Sequence, residues 1–359
     1  MADPGVTEQQ VRGVLQDVLD PEMSRTLGAL GMLNEVSTRG NAVRVRIELP
    51  TPAYPGRERI AQAAQEAVKA RLPSAGPVEV DFGWKVKGKE SGGNIGLKVR
   101  NIIPVGSGKG GVGKSTVAAA LAFGLQEYGA KVGLLDADVY GPSVPHLVGV
   151  EGQLTATEVR TPDGQLVPRI QPLDAQGLKV LSIGFQISRD QAVIWRGPML
   201  HKQLTMFLQH TEWGELDYLI IDMPPGTGDV ALSLSQMVQA AGAVVVCTPQ
   251  QLALLDAVKA VTMFRTVKIP VLGMVENMSG EIFGRGGTRN KAAELGIPFL
   301  GEIPIDASIR IKGDDGRIAQ LYASDSPVRA ALLNVCERTA IEVARQVLET
   351  TSMPTLELL

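Results

Sequence analysis

Residues 105–116 read VGSGKGGVGKST. Gly108, Gly113, Lys114 and Ser115 complete the spacing G-x-x-x-x-G-K-[ST], which is phosphate chemistry. Glycines let the backbone of Gly108, Lys109, Gly110, Gly111, Val112 and Gly113 curl so that N–H groups face phosphate oxygens. A following helix N-terminus adds partial positive charge. Lys114 is expected to reach the β and γ phosphates, the Ser115 hydroxyl to bind Mg²⁺, and Thr116 to reach the α phosphate. One lysine completes the pattern, yet a second, Lys109, follows the first glycine.

Such a site also needs carboxylates. KVGLLDADVYG puts Asp136 and Asp138 after an apolar run, and LDYLIIDMPPGTGD does the same for Asp222. Strand C-termini are where ligands sit in open α/β sheets. Asp222 is placed as a Walker B aspartate holding Mg²⁺ through water. Asp138 is placed to orient the attacking water, and Asp136 to support the metal. The competing reading of each is a turn or helix-capping aspartate.

Elements of the right kind flank these residues. NIIPVG reads as a strand, the glycine-rich stretch as a loop, and KSTVAAALAFGLQEYG as a helix. Further apolar runs, KVGLLDAD, KVLSIGF, DYLIID, AVVVCTP, PVLGMVEN and PFLGEIP, alternate with helical segments. Strands apolar on both faces mark a mainly parallel sheet covered by helices. SPVRAALLNVCERTAIEVARQVLET reads as a long final helix. Ahead of all this lies a smaller α/β unit. Val11, Val14, Leu15, Val18 and Leu19 repeat at helical spacing. Val43, Val45, Ile47 and Leu49 alternate with polar residues, as in a strand with one buried face. RERIAQAAQEAVKARL reads as a second helix and PVEVDF as a short strand. The expected division is a small domain at 1–88, a glycine-rich linker at 89–98 and a P-loop domain at 99–359.

A length of 359 residues suits two domains. With a net charge of −3, nothing in the balance points to a nucleic-acid partner. The start has no signal-peptide pattern, and no apolar run approaches the roughly 18 residues of a membrane span. Cys247 and Cys336 stand far apart and form no disulfide framework, which suits the cytoplasm. His146, His201 and His210 have no metal-ligand spacing.

GKGGVGKST resembles the deviant Walker A of the MinD, ParA and nitrogenase-iron-protein superfamily. Together with LLDADVYGPSVPHL, VIWRGPML, DYLIIDMPPGTGD, TPQQLALLDAVKAVTMF, VENMSG and FLGEIPID, it resembles the Mrp/ApbC branch of iron–sulfur cluster carrier ATPases. LDPEMSRTLGALGML and RVRIELPTPAYPGRERI resemble a SufT/PaaD-like domain. The resemblance implies a slow ATPase using ATP and Mg²⁺. It implies a homodimer in which Lys109 crosses to the other subunit's nucleotide, offsetting phosphoryl charge as an arginine finger does. It implies Asn277 on adenine, with Pro304 to Asp306 lining the base pocket. Cluster-assembly or client proteins are the implied partners, with no membrane and no nucleic acid.

The resemblance also implies a bridging [4Fe–4S] cluster on a Cys-x-x-Cys pair after VENMS. Here VENMSGEIFGRGG passes directly over that position. In the small domain, Tyr54 of TPAYP stands where relatives usually carry cysteine. Three readings stay open: a cluster-assembly ATPase, a nucleotide-switched scaffold without a cluster, and a MinD- or ParA-like positioning ATPase. The short acidic tail LETTSMPTLELL argues against the last.

Overall fold

The computed structural model of the chain describes residues 5–88, 97–160, 166–186, 197–226 and 228–351. It divides into two compact units, residues 1–87 with 344–359, and residues 88–343. The last turns of the C-terminal helix therefore group with the small unit. The expected linker lies largely outside the described residues, as do parts of VIWRGPML and of the tail.

The small unit runs α1 (Glu8–Gln16), β1 (Leu33–Arg39), β2 (Ala42–Leu49), α2 (Arg57–Arg71) and β3 (Val78–Trp84). Thr7 and Gln10 close a capping box at the start of α1. β2 pairs antiparallel with β1 and parallel with β3. Its alternation buries Val43, Val45, Ile47 and Leu49 and exposes Arg44 and Arg46. Ile60, Ala64 and Val68 of α2 are also fully buried, at helical spacing. β1, which the sequence pattern shows only as the approach to a turn at Gly40, is a full strand.

The large unit begins with β4 (Val99–Gly106), α3 (Lys114–Glu127), β5 (Val132–Asp136) and α4 (Val144–Val148). A hairpin of β6 (Thr155–Arg160) and β7 (Leu166–Gln171) precedes β8 (Leu173–Ala175) and β9 (Leu178–Ser182). Then follow α5 (Gly197–Gln209), β10 (Leu216–Asp222), α6 (Gly228–Met237), β11 (Ala243–Cys247), α7 (Gln251–Thr266) and β12 (Val271–Ser279). α8 (Gly287–Glu294), β13 (Phe299–Pro304), α9 (Ala307–Asp314) and the greater part of α10 (Arg329–Thr351) complete it.

The main sheet has the order β13-β12-β11-β4-β10-β5-β9-β8. All its pairings are parallel except β8 on β9. This is the α/β class that the alternating pattern implies, with every apolar run found as a strand. The short antiparallel β8 and the β6–β7 hairpin are additions without a strong apolar pattern.

Register matters more than strand count. Asp222 pairs with Val105 on one side and with Asp136 on the other. The order of the sheet thus brings three sequence-distant positions, the end of β4 and two strand-terminal aspartates, to one edge of the crevice. β4 is also the switch point, since the chain runs from β4 to β5 on one side and returns to β11 on the other.

Candidate nucleotide-binding site

The loop from Ser107 to Gly113 joins β4 to α3, and its shape needs glycine at two places. Gly113 has φ +80°, and a Cβ there would lie 2.2 Å from the Asn277 amide nitrogen. A Cβ on Gly108 would lie 2.0 Å from the Asp256 carbonyl oxygen of α7, a backbone atom with little room to move. The loop and the start of α3 border a cavity of about 270 Å³. Lys109, Gly110, Gly111, Gly113, Lys114, Ser115, Thr116 and Asp138 line it. Gly108 and Val112 do not; they hold the loop from behind, and the Val112 carbonyl accepts from Asn277 Nδ2 at 2.9 Å.

Lys114 is 6% exposed and turned onto acids. Its Nζ lies 2.5 Å from Asp222 Oδ1 and 3.5 Å from Asp138 Oδ2, and donates to Ser115 Oγ at 3.2 Å. Asp222 is fully buried, and among the described residues its Oδ2 makes no hydrogen bond. A buried carboxylate oxygen left unpaired is costly, so it marks a group whose partner arrives with a ligand. That oxygen, beside the Ser115 hydroxyl, fits a hard divalent cation carried in with phosphate oxygens. Mg²⁺ is usually held by one or two carboxylates plus phosphates and waters.

Asp136 is engaged differently. Its Oδ1 accepts from the Asp138 N–H at 3.1 Å. Its Oδ2 accepts from Ser182 Oγ at 2.9 Å and the Val144 N–H at 3.3 Å. Both oxygens are thus spent on β9, the start of α4 and the loop that carries Asp138. Burial, then the adjacent Asp222 charge, push Asp136 up to about 8. Burial also raises Asp222, against the pull of the Lys114 ammonium.

Next to the phosphate cavity lies a larger one of about 570 Å³. The two share Gly113, Thr116 and Leu147. Asn277, Pro304 and Asp306 line the larger cavity, together with His146, Met278 and Arg310. Asp306 Oδ1 caps α9 by accepting from the Ser308 N–H at 2.7 Å. His146 and Leu147 fall at the end of the LLDADVYGPSVPHL stretch without a binding role assigned to them, and Arg310 went unmarked because it follows IPID on α9, which carries no motif of its own.

Lys109 is partly exposed, and among the described residues its ammonium makes no ion pair. Cys247 and Cys336 are each 1% exposed. Tyr54 is buried in the small unit, where its hydroxyl donates to Asp20 Oδ1 at 2.5 Å. Burial and that bond raise its pKa well above the ordinary value.

Comparisons with known proteins agree with this geometry. Residues 98–340 match the family described as NUBPL iron-transfer P-loop NTPase, and residues 8–82 match the iron–sulfur cluster assembly protein family. The chain is 43% identical over 341 residues to an iron–sulfur cluster carrier protein of Deinococcus radiodurans, covering 92% of this chain and 94% of that one. It is 37% identical over 358 residues to one of Escherichia coli, covering 95% and 93%. A nucleotide-binding protein of Archaeoglobus fulgidus solved with ADP superposes with a TM-score of 0.53 at 39% identity, over 64% of this chain and 93% of that one.

Proposed function

The chain belongs to the iron-transfer P-loop NTPase family, and we propose that it is a homodimeric ATPase of iron–sulfur cluster assembly that binds Mg-ATP and hydrolyses it slowly. The observation that carries this reading is the Lys114–Asp222–Asp138 cluster on a glycine loop that opens into a base-sized cavity. The names of its carrier relatives support the assignment to cluster assembly. Two free thiols suit a reducing cytoplasm, and no helix among the described residues is long and apolar enough to cross a membrane.

The phosphates enter the smaller cavity. Backbone N–H groups of the loop and of the α3 start bind them, and Lys114 leaves Asp222 to meet the β and γ oxygens. Mg²⁺ bound with ATP would neutralise charge on those oxygens, with Ser115 and Asp222 as the residues that hold it. Asp138 accepts a hydrogen bond from the attacking water and aims it along the line of displacement. Asp136 supports the metal site from behind, because its oxygens are occupied in fixing the Asp138 loop. Asn277 ties the base to the loop. One side of its amide holds Val112, and among the described residues its oxygen makes no hydrogen bond and can take an exocyclic amine. Lys109 of the partner subunit reaches the γ phosphate across the interface.

The test uses two inactive variants, Lys109→Ala and Asp138→Ala. Each alone is expected to lose most turnover. Mixed and exchanged, they regain one working site per heterodimer, up to about a quarter of wild-type activity per total site under random pairing. Proven exchange without recovery removes the trans role. Wild-type ATP affinity in Lys114→Ala removes the nucleotide assignment itself.

A further inference from the structure

The carrier relatives raise a requirement that this chain's own side chains can be tested against. A [4Fe–4S] cluster is held by four cysteine thiolates. A symmetric dimer therefore needs two from each subunit, presented together at its surface. This chain has two cysteines in all, so both would have to serve.

Neither is placed to do so. Cys247 ends β11 and belongs to the apolar layer that includes residues of α5, α6 and α7. Its Sγ lies 3.1 Å from Thr288 Oγ1 in the first turn of α8. Its strand neighbour in register is Glu276, itself fully buried. Burial pushes the thiol up to about 11, with the Glu276 charge adding to it. Cys336 lies on α10 against α3, outside that layer. Its neighbours are the Tyr322 hydroxyl at 3.6 Å and the Leu121 carbonyl at 3.9 Å. A Cβ on Gly124 would lie 2.3 Å from its sulfur, so the fit is close. Burial pushes this thiol up to about 12. The two share no partner among these contacts.

The connection that could expose Cys247 is fixed at both ends. Residues 280–286 join β12 to α8. Gly280 and Gly284 exchange backbone hydrogen bonds of 2.9 and 2.8 Å. The Glu276 carboxylate accepts from the Gly286 and Thr288 N–H groups, both at 2.8 Å. That turn carries Ile282, 74% exposed, and no cysteine or histidine. Among the described residues, no group of three or more His, Cys, Asp or Glu is placed to hold a metal ion.

We infer that this chain ligates no [4Fe–4S] cluster with its own side chains. This rests on the family reading above and narrows it: the chain is the nucleotide-driven component and supplies no cluster ligands itself. The closed 280–286 turn then presents an apolar tip where a thiolate pair would have stood.

The test is anaerobic reconstitution of the full chain with ferrous iron and sulfide, without small thiols, followed by desalting. Iron and sulfide are counted per chain, and cluster absorption is recorded, for wild type, Cys247→Ser, Cys336→Ser and the double variant. ATP affinity on the same samples reports folding. The expected result is trace iron, equal in all four within error, with ATP binding intact. Wild type retaining about two irons per chain, lost on either substitution, overturns the inference. Retention by all four overturns it as well, because other side chains would then be ligands. Alkylation of the native chain is the second measurement. Both thiols are expected to react at least about a hundredfold more slowly than after unfolding, and native rates equal to unfolded ones count against it. Absent ATP binding in wild type would instead strike the proposed function and leave the cluster result to stand alone.

Discussion

Two ends of one sheet meet opposite fates in this molecule. Where β4, β10 and β5 end, two carboxylates pair with one lysine, and among the described residues a fully buried Asp222 oxygen makes no hydrogen bond. On the neighbouring strands β11 and β12, Glu276 spends both oxygens on backbone N–H groups, and Cys247 is hydrogen-bonded to Thr288. Both ends bury charge or a titratable group at strand C-termini. One is left electrostatically incomplete, and the other is completed by the chain itself. At this end the incompleteness fits a ligand site, because the unpartnered oxygen stands with Lys114 at the glycine loop and a buried polar atom without a partner is costly unless something arrives to satisfy it. Completion is the signature of structure.

The sharpest way to break the contrast is to remove the lysine that the incomplete end is built around. Lys114→Ala is expected to abolish detectable hydrolysis. It should also weaken ATP binding by on the order of 10- to 100-fold, the equivalent of one or two charge-assisted hydrogen bonds. Equilibrium ATP binding and single-turnover hydrolysis measure this. If the lysine served only to neutralise Asp222, the variant would lose stability and keep its affinity.

Most of the incomplete end was legible in the sequence, because phosphate binding forces residue types into a short window. Glycines must admit positive φ or close approach, as Gly113 and Gly108 do, and the lysine must begin a helix. The fold was legible for the related reason that a buried parallel strand cannot hide its apolar run. The engagement of Asp136 was not legible. Its three donors come from Asp138, Val144 and Ser182, and only the pairing of β5 with β9 brings the last of these close. The larger cavity was half legible: Asn277, Pro304 and Asp306 were marked as base contacts, whereas His146 stood in a quoted stretch with no role given to it and Arg310 arrives on α9 with no motif at all. The completed end gave no positive signal beyond a missing pair of cysteines, and only the contacts of Cys247 explain what fills its place.

The second prediction probes what completes that end. Glu276→Ala leaves two backbone N–H groups without their carboxylate. The expected loss is about 3 kcal/mol of folding stability, from two hydrogen bonds to a charged acceptor. Glu276→Gln keeps one carbonyl acceptor and should lose roughly half as much. Urea unfolding at unchanged m measures both. Native alkylation of Cys247 should quicken in step with the loss, because Gly286 and Thr288 anchor the turn over it. Cys336, packed on α3, should not respond. Equal quickening at both thiols would mean that Glu276 stabilises the whole unit rather than the turn.

The smallest effect is a slope. Burial raises Cys247 to about 11, whereas an unfolded cysteine titrates near about 8.5. Below the unfolded value both states keep the proton, and the thiol's contribution to stability is fully present. Above it the unfolded chain releases the proton while the folded chain retains it, so stability is lost as pH rises towards the folded value. The expected slope is about 1.4 kcal/mol per pH unit for this one group, between about pH 9 and 11. Tyrosines and lysines titrate in the same range, so the measurement is the stability gap between wild type and Cys247→Ser at each pH, in which their contributions cancel. The gap should move against wild type as pH rises, and a flat gap would mean that the thiol ionises as freely in the fold as outside it. At pH 8 the same shift leaves about one thiolate in a thousand at Cys247. Asp136 carries an upward shift of comparable origin, but it stands beside a lysine and an unpaired oxygen, where incoming charge can reverse the balance. Cys247 has Glu276 beside it, of the wrong sign to stabilise a thiolate, and its shift is therefore fixed by the fold.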